Sequence, residues 1–406
     1  MLHIDSVDSR PFSMRGDEVT KLDAESDQFE TESKQCRDVS GVEISISVAI
    51  AGLSIFITML FMSTQIIQPL LYDASLIRTG RYAMSSDAWD TIAEDEALSI
   101  VGIGSSMMQY SLNGTCIEEE MEIENSYVYN LAIPGGMPYM EMVQTETAIN
   151  AAPDLILLEV APGGLWDIDQ HSTDGMMDYF QLRLTISSLL FNSDKGEWID
   201  ILRPSESKYF DIGFEGAFNS ERAYSIVASE EFLNRVIMNE SSAPTERSAA
   251  YVPSPGSDLW HDYLRTPKWL YSKLELMDPD SRSDWENNTL TNTVKKEGNN
   301  PLTNGTLNHL ALDYMVSRFT ESGIKVILVA PPLHPLLLEQ LEHEQFAGHN
   351  NTLNSLSERY DVLVMNLIWD EYWVDDDFYN QNHLDRHGRE TFCQYSSPII
   401  KEYLGA

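Results

Sequence analysis

The chain has 406 residues and a formal net charge of -38, from 64 acidic and 26 basic side chains, with 43% hydrophobic content. So large an acidic excess argues against nucleic acid as a partner, because phosphate binding rests on clustered Lys and Arg, and the ordinary apolar content argues against disorder throughout. An acidic surface over a normal core suits a high-salt, halophilic habitat, where screening relieves self-repulsion.

Residues 1–42 are rich in Asp, Glu and Ser, show no hydrophobic period and read as a disordered acidic tail. From Ile44 to Tyr72 no side chain is charged, and Ile44 to Ile67 is almost wholly apolar or small. A bilayer core about 30 Å thick needs roughly 20 helical residues, so residues 43–68 are expected to form one transmembrane helix. Its position behind a long tail makes it an uncleaved anchor rather than a signal peptide. Lys34 and Arg37 precede this span and Arg78 and Arg81 follow it, which leaves the positive-inside rule undecided. The glycosylation sequons at Asn113, Asn239, Asn287, Asn304 and Asn350 all follow the span, which favours an extracellular C-terminal domain on a single-pass membrane protein. Cys36 stands alone in the tail, and Cys116 and Cys393 are the two cysteines beyond the span. Two external cysteines invite a disulfide, and two unpaired buried thiols are the alternative.

Residues 69–96 read as a polar connector. Five short aliphatic or β-branched runs then predict buried strands at Ala97 to Ile103, Tyr127 to Ile133, Leu155 to Val160, Lys325 to Ala330 and Val362 to Leu367. Helical patterns fall between them at Met140 to Ala151, Leu307 to Glu321 and Leu353 to Arg359. Strands alternating with helices predict an α/β domain over 97–406, with a three-layer, doubly wound, parallel five-stranded sheet. Residues 165–308 are too long for a simple crossover and read as an insertion, a possible lid, with helices at Met176 to Phe191 and Ser220 to Met238.

Ligands of open parallel sheets bind outside the carboxyl ends of the strands, so those ends are where chemistry is expected. The first strand runs into Gly102-Ile103-Gly104-Ser105-Ser106-Met107, the second into Asn130-Leu131-Ala132-Ile133-Pro134-Gly135-Gly136, and the third into Glu159-Val160-Ala161-Pro162-Gly163-Gly164. Before the C-terminal helix comes Asp377-Phe378-Tyr379-Asn380-Gln381-Asn382-His383-Leu384-Asp385-Arg386-His387-Gly388. A serine at a strand-to-helix turn has backbone donors beside it for a developing oxyanion, although Ser105 or Ser106 could equally cap the helix. A Pro-Gly-Gly run is a competent turn whatever the function. Histidine titrates near neutrality and suits a general base. His383 and His387 stand four apart, as a metal pair on a helix would, but no third ligand accompanies them and no metal is expected.

These four blocks, in this order, resemble the SGNH (GDSL-like) hydrolase superfamily, in particular its membrane-anchored branches associated with cell-surface polymers. The resemblance covers most of residues 97–404, leaves the insertion unmatched, and implies a flavodoxin-like fold and no cofactor. It places a nucleophile at Ser106, a general base at His383, and oxyanion donors at the amides of Ser106 and Gly135, with Gly136 as the alternative. Two positions depart from the pattern: Asn380 stands in the aspartate slot of Asp-x-x-His, and Ala161 in the slot of an oxyanion asparagine. Asp376, Asp377 or Asp385 could stand in for the missing carboxylate. The implied function is a serine esterase or acyltransferase acting on an acylated surface glycan or lipid-linked polymer; the alternative is an inactive domain of the same fold that binds surface carbohydrate or envelope proteins. Under this alignment Cys116 follows Ser106 by ten residues and Cys393 follows His383 by ten, so a disulfide would staple two helices that start at the catalytic edge. Trp166, Trp260, Trp269 and Trp373 could line a sugar cleft or belong to the core.

Overall fold

A computed structural model describes residues 41–62, 80–165, 198, 201, 253, 256–257, 259–266 and 306–406. The chain divides into two units, one up to Phe61 and one from Met62 onward. In the first, helix α1 spans Gly41–Met62 and leaves Ile46, Val48, Ile50, Leu53, Ile55, Ile57 and Phe61 exposed. Taken over the described residues, no helix is long and apolar enough to cross a membrane. The expected span continues to residue 68; residues 63–68 and residues 1–40 of the acidic tail lie outside the described set, and residues 41–42 of the tail belong to helix α1.

The second unit is an α/β domain. Helix α2 (Gly80–Glu94) leads into β1 (Leu98–Ile103), α3 (Ser106–Ser111), α4 (Gly114–Met121) and β2 (Ser126–Asn130). There follow α5 (Pro138–Glu141), a 3-10 turn, α6 (Thr145–Ala151), β3 (Leu155–Glu159) and, from the inserted region, α7 (Trp260–Arg265). The chain closes with α8 (Leu307–Glu321), β4 (Lys325–Ala330), α9 (Pro335–Leu338), α10 (Ala347–Tyr360), β5 (Leu363–Asn366) and α11 (Arg386–Leu404). All strand pairs are parallel, in the order β2-β1-β3-β4-β5.

Alternate residues of each strand face opposite layers, as the pleat requires. Val101, Ile156, Leu158, Val326 and Leu328 pack in one core with residues of α2, α6, α8 and α10. Ile100, Leu155, Leu157, Ile327 and Val329 pack in the other with residues of α3, α4 and α11. Because both faces are covered, the strands read as continuous apolar runs. The order reverses between β1 and β3, which makes their carboxyl ends the switch point of the sheet.

The domain starts earlier than expected. The stretch read as a polar connector to residue 96 is helical from Gly80, and Ala88, Trp89 and Ile92 are buried in the core. Three apolar residues at helical spacing are enough to seat α2, because Trp89 donates its indole N–H to Gln144 (3.1 Å) while its ring is buried. The helix expected at Met140 to Ala151 is a broken one, interrupted by the 3-10 turn Met142–Gln144. Helix α10 begins six residues before the expected Leu353. The helices expected at 176–191 and 220–238, and Trp166 and Trp269, lie outside the described residues. Trp260 and Trp373 are 1% and 5% exposed, so both are core residues rather than cleft walls.

Candidate active site

Ser106 opens α3, at the carboxyl end of β1. Ser105 is the N-cap, in extended backbone, and its Oγ accepts the Met107 N–H at 3.1 Å. The capping reading therefore holds for Ser105, which leaves the Ser106 hydroxyl available for another partner. Beneath the turn lies Glu159, the last residue of β3 and buried in the strand-end layer. Its Oε2 accepts the N–H groups of Ser105 (2.9 Å) and Met108 (2.8 Å), and its Oε1 accepts the Ser105 hydroxyl (2.6 Å). Burial pushes the Glu159 carboxyl up, against the downward pull of those three donors. At the start of a helix the first N–H groups have no partner within it. Here Ser105 Oγ and Glu159 take those of residues 105, 107 and 108, and among the described residues none takes that of Ser106.

His383 lies on the loop that precedes α11. Its Nε2 is 2.7 Å from Ser106 Oγ, across 277 residues of chain. Its Nδ1 is 3.0 Å from Nδ2 of Asn380. The Asn380 Oδ1 accepts the backbone N–H groups of Asn382 (3.2 Å) and His383 (3.0 Å), so the loop folds around this side chain. Tyr379 N–H donates to the His383 carbonyl (2.8 Å), and Phe378 bridges Leu384, which closes the loop at its base. Tyr110 of α3 packs its ring on the imidazole, with centroids 4.6 Å apart.

Two of the three aspartates considered as substitutes for Asn380 are engaged elsewhere. Asp377 is buried and its Oδ1 meets His387 Nδ1 (2.8 Å) and Thr391 Oγ1 (3.0 Å), while its Oδ2 accepts the Val374 N–H (3.0 Å). Asp385 is the N-cap of α11, accepting the Gly388 N–H at 2.9 Å. Helix α11 begins at Arg386, so His383 and His387 do not share a helical face, and the premise of a metal pair fails. Among the described residues no group of three candidate metal ligands occurs.

Gly135 occupies the third position of a turn that Gly136 N–H closes onto the Ile133 carbonyl at 2.8 Å, with Pro134 at the second. Its φ of 73° is the left-handed conformation that a type II turn asks of that position and that glycine meets without strain. The Gly136 amide is used inside the turn. Of the two glycines, Gly135 is therefore the one whose amide no described residue takes. Ile133 N–H donates to the Gly104 carbonyl at 2.7 Å, which holds this turn beside the Ser106 loop. Ala161 follows β3 and has only a methyl group to offer where an amide side chain would donate. Beside these loops opens a cavity walled by Met137, Pro138, Leu158, Leu165 and Met315, with Glu141 and Glu159 also on its lining.

Cys116 of α4 and Cys393 of α11 form a disulfide, with Sγ atoms 2.09 Å apart. The helix carrying Cys116 is not the one that Ser106 starts, because the chain turns at Leu112 and Asn113 between α3 and α4. Asn113 caps α4, and its half-buried Oδ1 accepts from Cys116 N–H (3.4 Å), Thr115 Oγ1 (3.0 Å) and Thr266 Oγ1 (2.9 Å). Asn350 accepts from Asn366 Nδ2 at 3.2 Å, and Asn239, Asn287 and Asn304 lie outside the described residues.

No protein-family model and no curated protein matches the chain. The site is therefore read from its own geometry. Glu159 is the residue that sequence reasoning passed over: it was visible as a carboxylate ending an otherwise apolar strand, a position where a charge needs a structural reason.

Proposed function

We propose that Ser106 and His383 form the core of an acyl-transfer site, a serine esterase or O-acyltransferase of SGNH type acting on an acylated cell-surface glycan or lipid-linked polymer. The observation that carries the reading is the 2.7 Å contact between Ser106 Oγ and His383 Nε2 at the carboxyl edge of the sheet, where parallel folds place their chemistry. The order β2-β1-β3-β4-β5 is also that of flavodoxin-like sheets. In this mechanism the active tautomer of His383 holds its proton on Nδ1: Ser106 Oγ attacks the acyl carbonyl and its proton passes to the bare Nε2. The oxyanion takes the amide protons of Ser106 and Gly135. The alcohol then leaves with the proton from Nε2; water or an acceptor hydroxyl next attacks the acyl group, its proton passing through Nε2 to Ser106 Oγ as the Ser106–acyl bond breaks. The apolar run from Ile44 to Ile67 anchors the chain in a membrane, and the acidic domain faces the extracellular side.

A second reading, a catalytically inactive domain that binds surface carbohydrate or envelope proteins, is favoured by Asn380 and Ala161. Neither supplies what a carboxylate and an oxyanion asparagine would, and loss of one oxyanion donor typically costs about 3 kcal/mol.

The test is fluorophosphonate labelling of the full chain in detergent, at high and low salt, alongside Ser106→Ala and His383→Ala. Labelling that disappears in both variants supports the enzyme. A folded wild-type chain that never labels, yet retains glycan, supports the binding domain.

A further inference from the structure

Glu159 spends a buried carboxylate on the turn that carries Ser106. Its two oxygens accept from Ser105 N–H, Ser105 Oγ and Met108 N–H, all within 2.9 Å. The approach is built in from the opposite side as well. A Cβ on Gly104 would lie 2.4 Å from Glu159 Cβ and 2.6 Å from its Oε2, so the carboxyl reaches the turn only because residue 104 has no side chain. An ordinary N-cap would have answered the same helix end with the Ser105 hydroxyl alone, at no desolvation cost for an acid.

We propose that Glu159 is a positioning residue for Ser106, fixing through Ser105 and Met108 the turn on which the serine's hydroxyl and amide are held. The proposal rests on the acyl-transfer reading of the Ser106–His383 pair. Glu159 touches neither Ser106 Oγ nor His383; it acts by removing the freedom of the two residues that flank the reacting one. With the amides of Ser105, Met107 and Met108 each tied to one acceptor, the direction of the Ser106 N–H is determined by the turn. A short helix of six residues has little rigidity of its own to do this. Two further ties hold its far end, from Asn130 Nδ2 to the carbonyls of Gln109 (3.1 Å) and Leu112 (2.8 Å), so α3 is fixed at both ends by side chains that end neighbouring strands.

The experiment titrates a fluorophosphonate probe on the full chain and separates the first-order labelling constant from the half-saturating probe concentration. Glu159→Ala is expected to lower the first-order constant by about tenfold to a hundredfold while half-saturation changes little, the size that losing one or two buried hydrogen bonds carries. Glu159→Gln should recover most of that loss, because its amide oxygen can still accept both backbone N–H groups. A structural role would instead lower the melting temperature and leave the labelling constant of the folded fraction unchanged, and that result overturns the proposal. Should Glu159→Ala fail to fold, Ser105→Ala removes the hydroxyl's two contacts, to Glu159 Oε1 and from the Met107 N–H, and keeps the carboxyl; it is expected to slow labelling several-fold, and an unchanged constant counts against positioning. A wild type that does not label refutes the acyl-transfer reading instead. Hydrogen exchange then decides: faster exchange confined to the Ser105 and Met108 amides in Glu159→Ala, largely restored in Glu159→Gln, supports the tie, and unchanged or uniformly faster exchange in Glu159→Ala overturns it.

Discussion

Asn380 faces His383 with its nitrogen. Its Oδ1 is held by the N–H groups of Asn382 and His383, so the side-chain NH2 is what stands 3.0 Å from His383 Nδ1. Two N–H groups cannot share that contact, so Nδ1 accepts and the neutral imidazole carries its proton on Nε2, toward Ser106 Oγ. A general base needs the opposite tautomer, with Nε2 bare. An aspartate at 380 would accept the two backbone N–H groups with one oxygen and the imidazole N–H with the other.

Asn380→Asp is therefore expected to raise the phosphonate labelling rate by on the order of 10² to 10⁴, the reverse of the loss that an amide causes in a Ser-His-Asp triad. Nitrogen chemical shifts of the His383 ring would report the tautomer directly, with the proton moving from Nε2 to Nδ1. A variant whose rate and ring shifts match the wild type would mean that Asn380 does not set the proton's place.

Gly136 sits where a side chain cannot. A Cβ there would lie 2.4 Å from Glu141 Oε1, 2.9 Å from the Ile133 carbonyl and 3.1 Å from the Gly104 carbonyl. Gly136→Ala should destabilise the domain by about 1–3 kcal/mol and slow labelling, since the Gly135 turn must back away from Ser106. Gly163→Ala, with nothing within 4 Å of its Cβ, is the control and should leave stability unchanged in denaturant titration.

The Cys116–Cys393 bond links residues 277 apart. Removing such a cross-link typically costs 2–5 kcal/mol, chiefly through the freedom returned to the unfolded chain. Cys116→Ser, Cys393→Ser and the double variant should each lose about the same amount, because any of them opens the loop. Reduction of the wild type should match them.

His387 is mostly exposed, and its hydrogen bond to Asp377 holds its pKa above the ordinary imidazole range. A group whose folded pKa is raised contributes stability that is fully present below its unfolded value, about 6.5, and is lost as pH rises through the folded pKa. Melting temperature should therefore decline over that window, and His387→Gln should flatten this part of the profile. The effect is modest because water screens the pair. A slope that survives the substitution would assign it to other groups.

The five strands were legible because burial on both faces leaves a local mark, a short continuous aliphatic run, and each observed strand lies within a residue of its expected start. Helix α2 was not, because the apolar residues that seat it, Ala88, Trp89 and Ile92, stand among Asp87, Asp90, Thr91 and Glu94. The aspartates near His383 could not be sorted by sequence, since Asp376, Asp377 and Asp385 differ only in where the loop aims them.

What the residue order alone determined is local and periodic: a charge-free apolar run, five buried strands, a Pro-Gly-Gly turn, and a serine and a histidine at strand or helix boundaries. Only the tertiary structure decided that Ser106 meets His383, that Glu159 lies under Ser105 from 54 residues away, and which atom of Asn380 faces the imidazole. The physical reason is that hydrogen-bond partners across a sheet edge are chosen by strand order and loop direction. Neither is written within reach of the residues concerned, and a side-chain amide has two ends that a sequence does not tell apart.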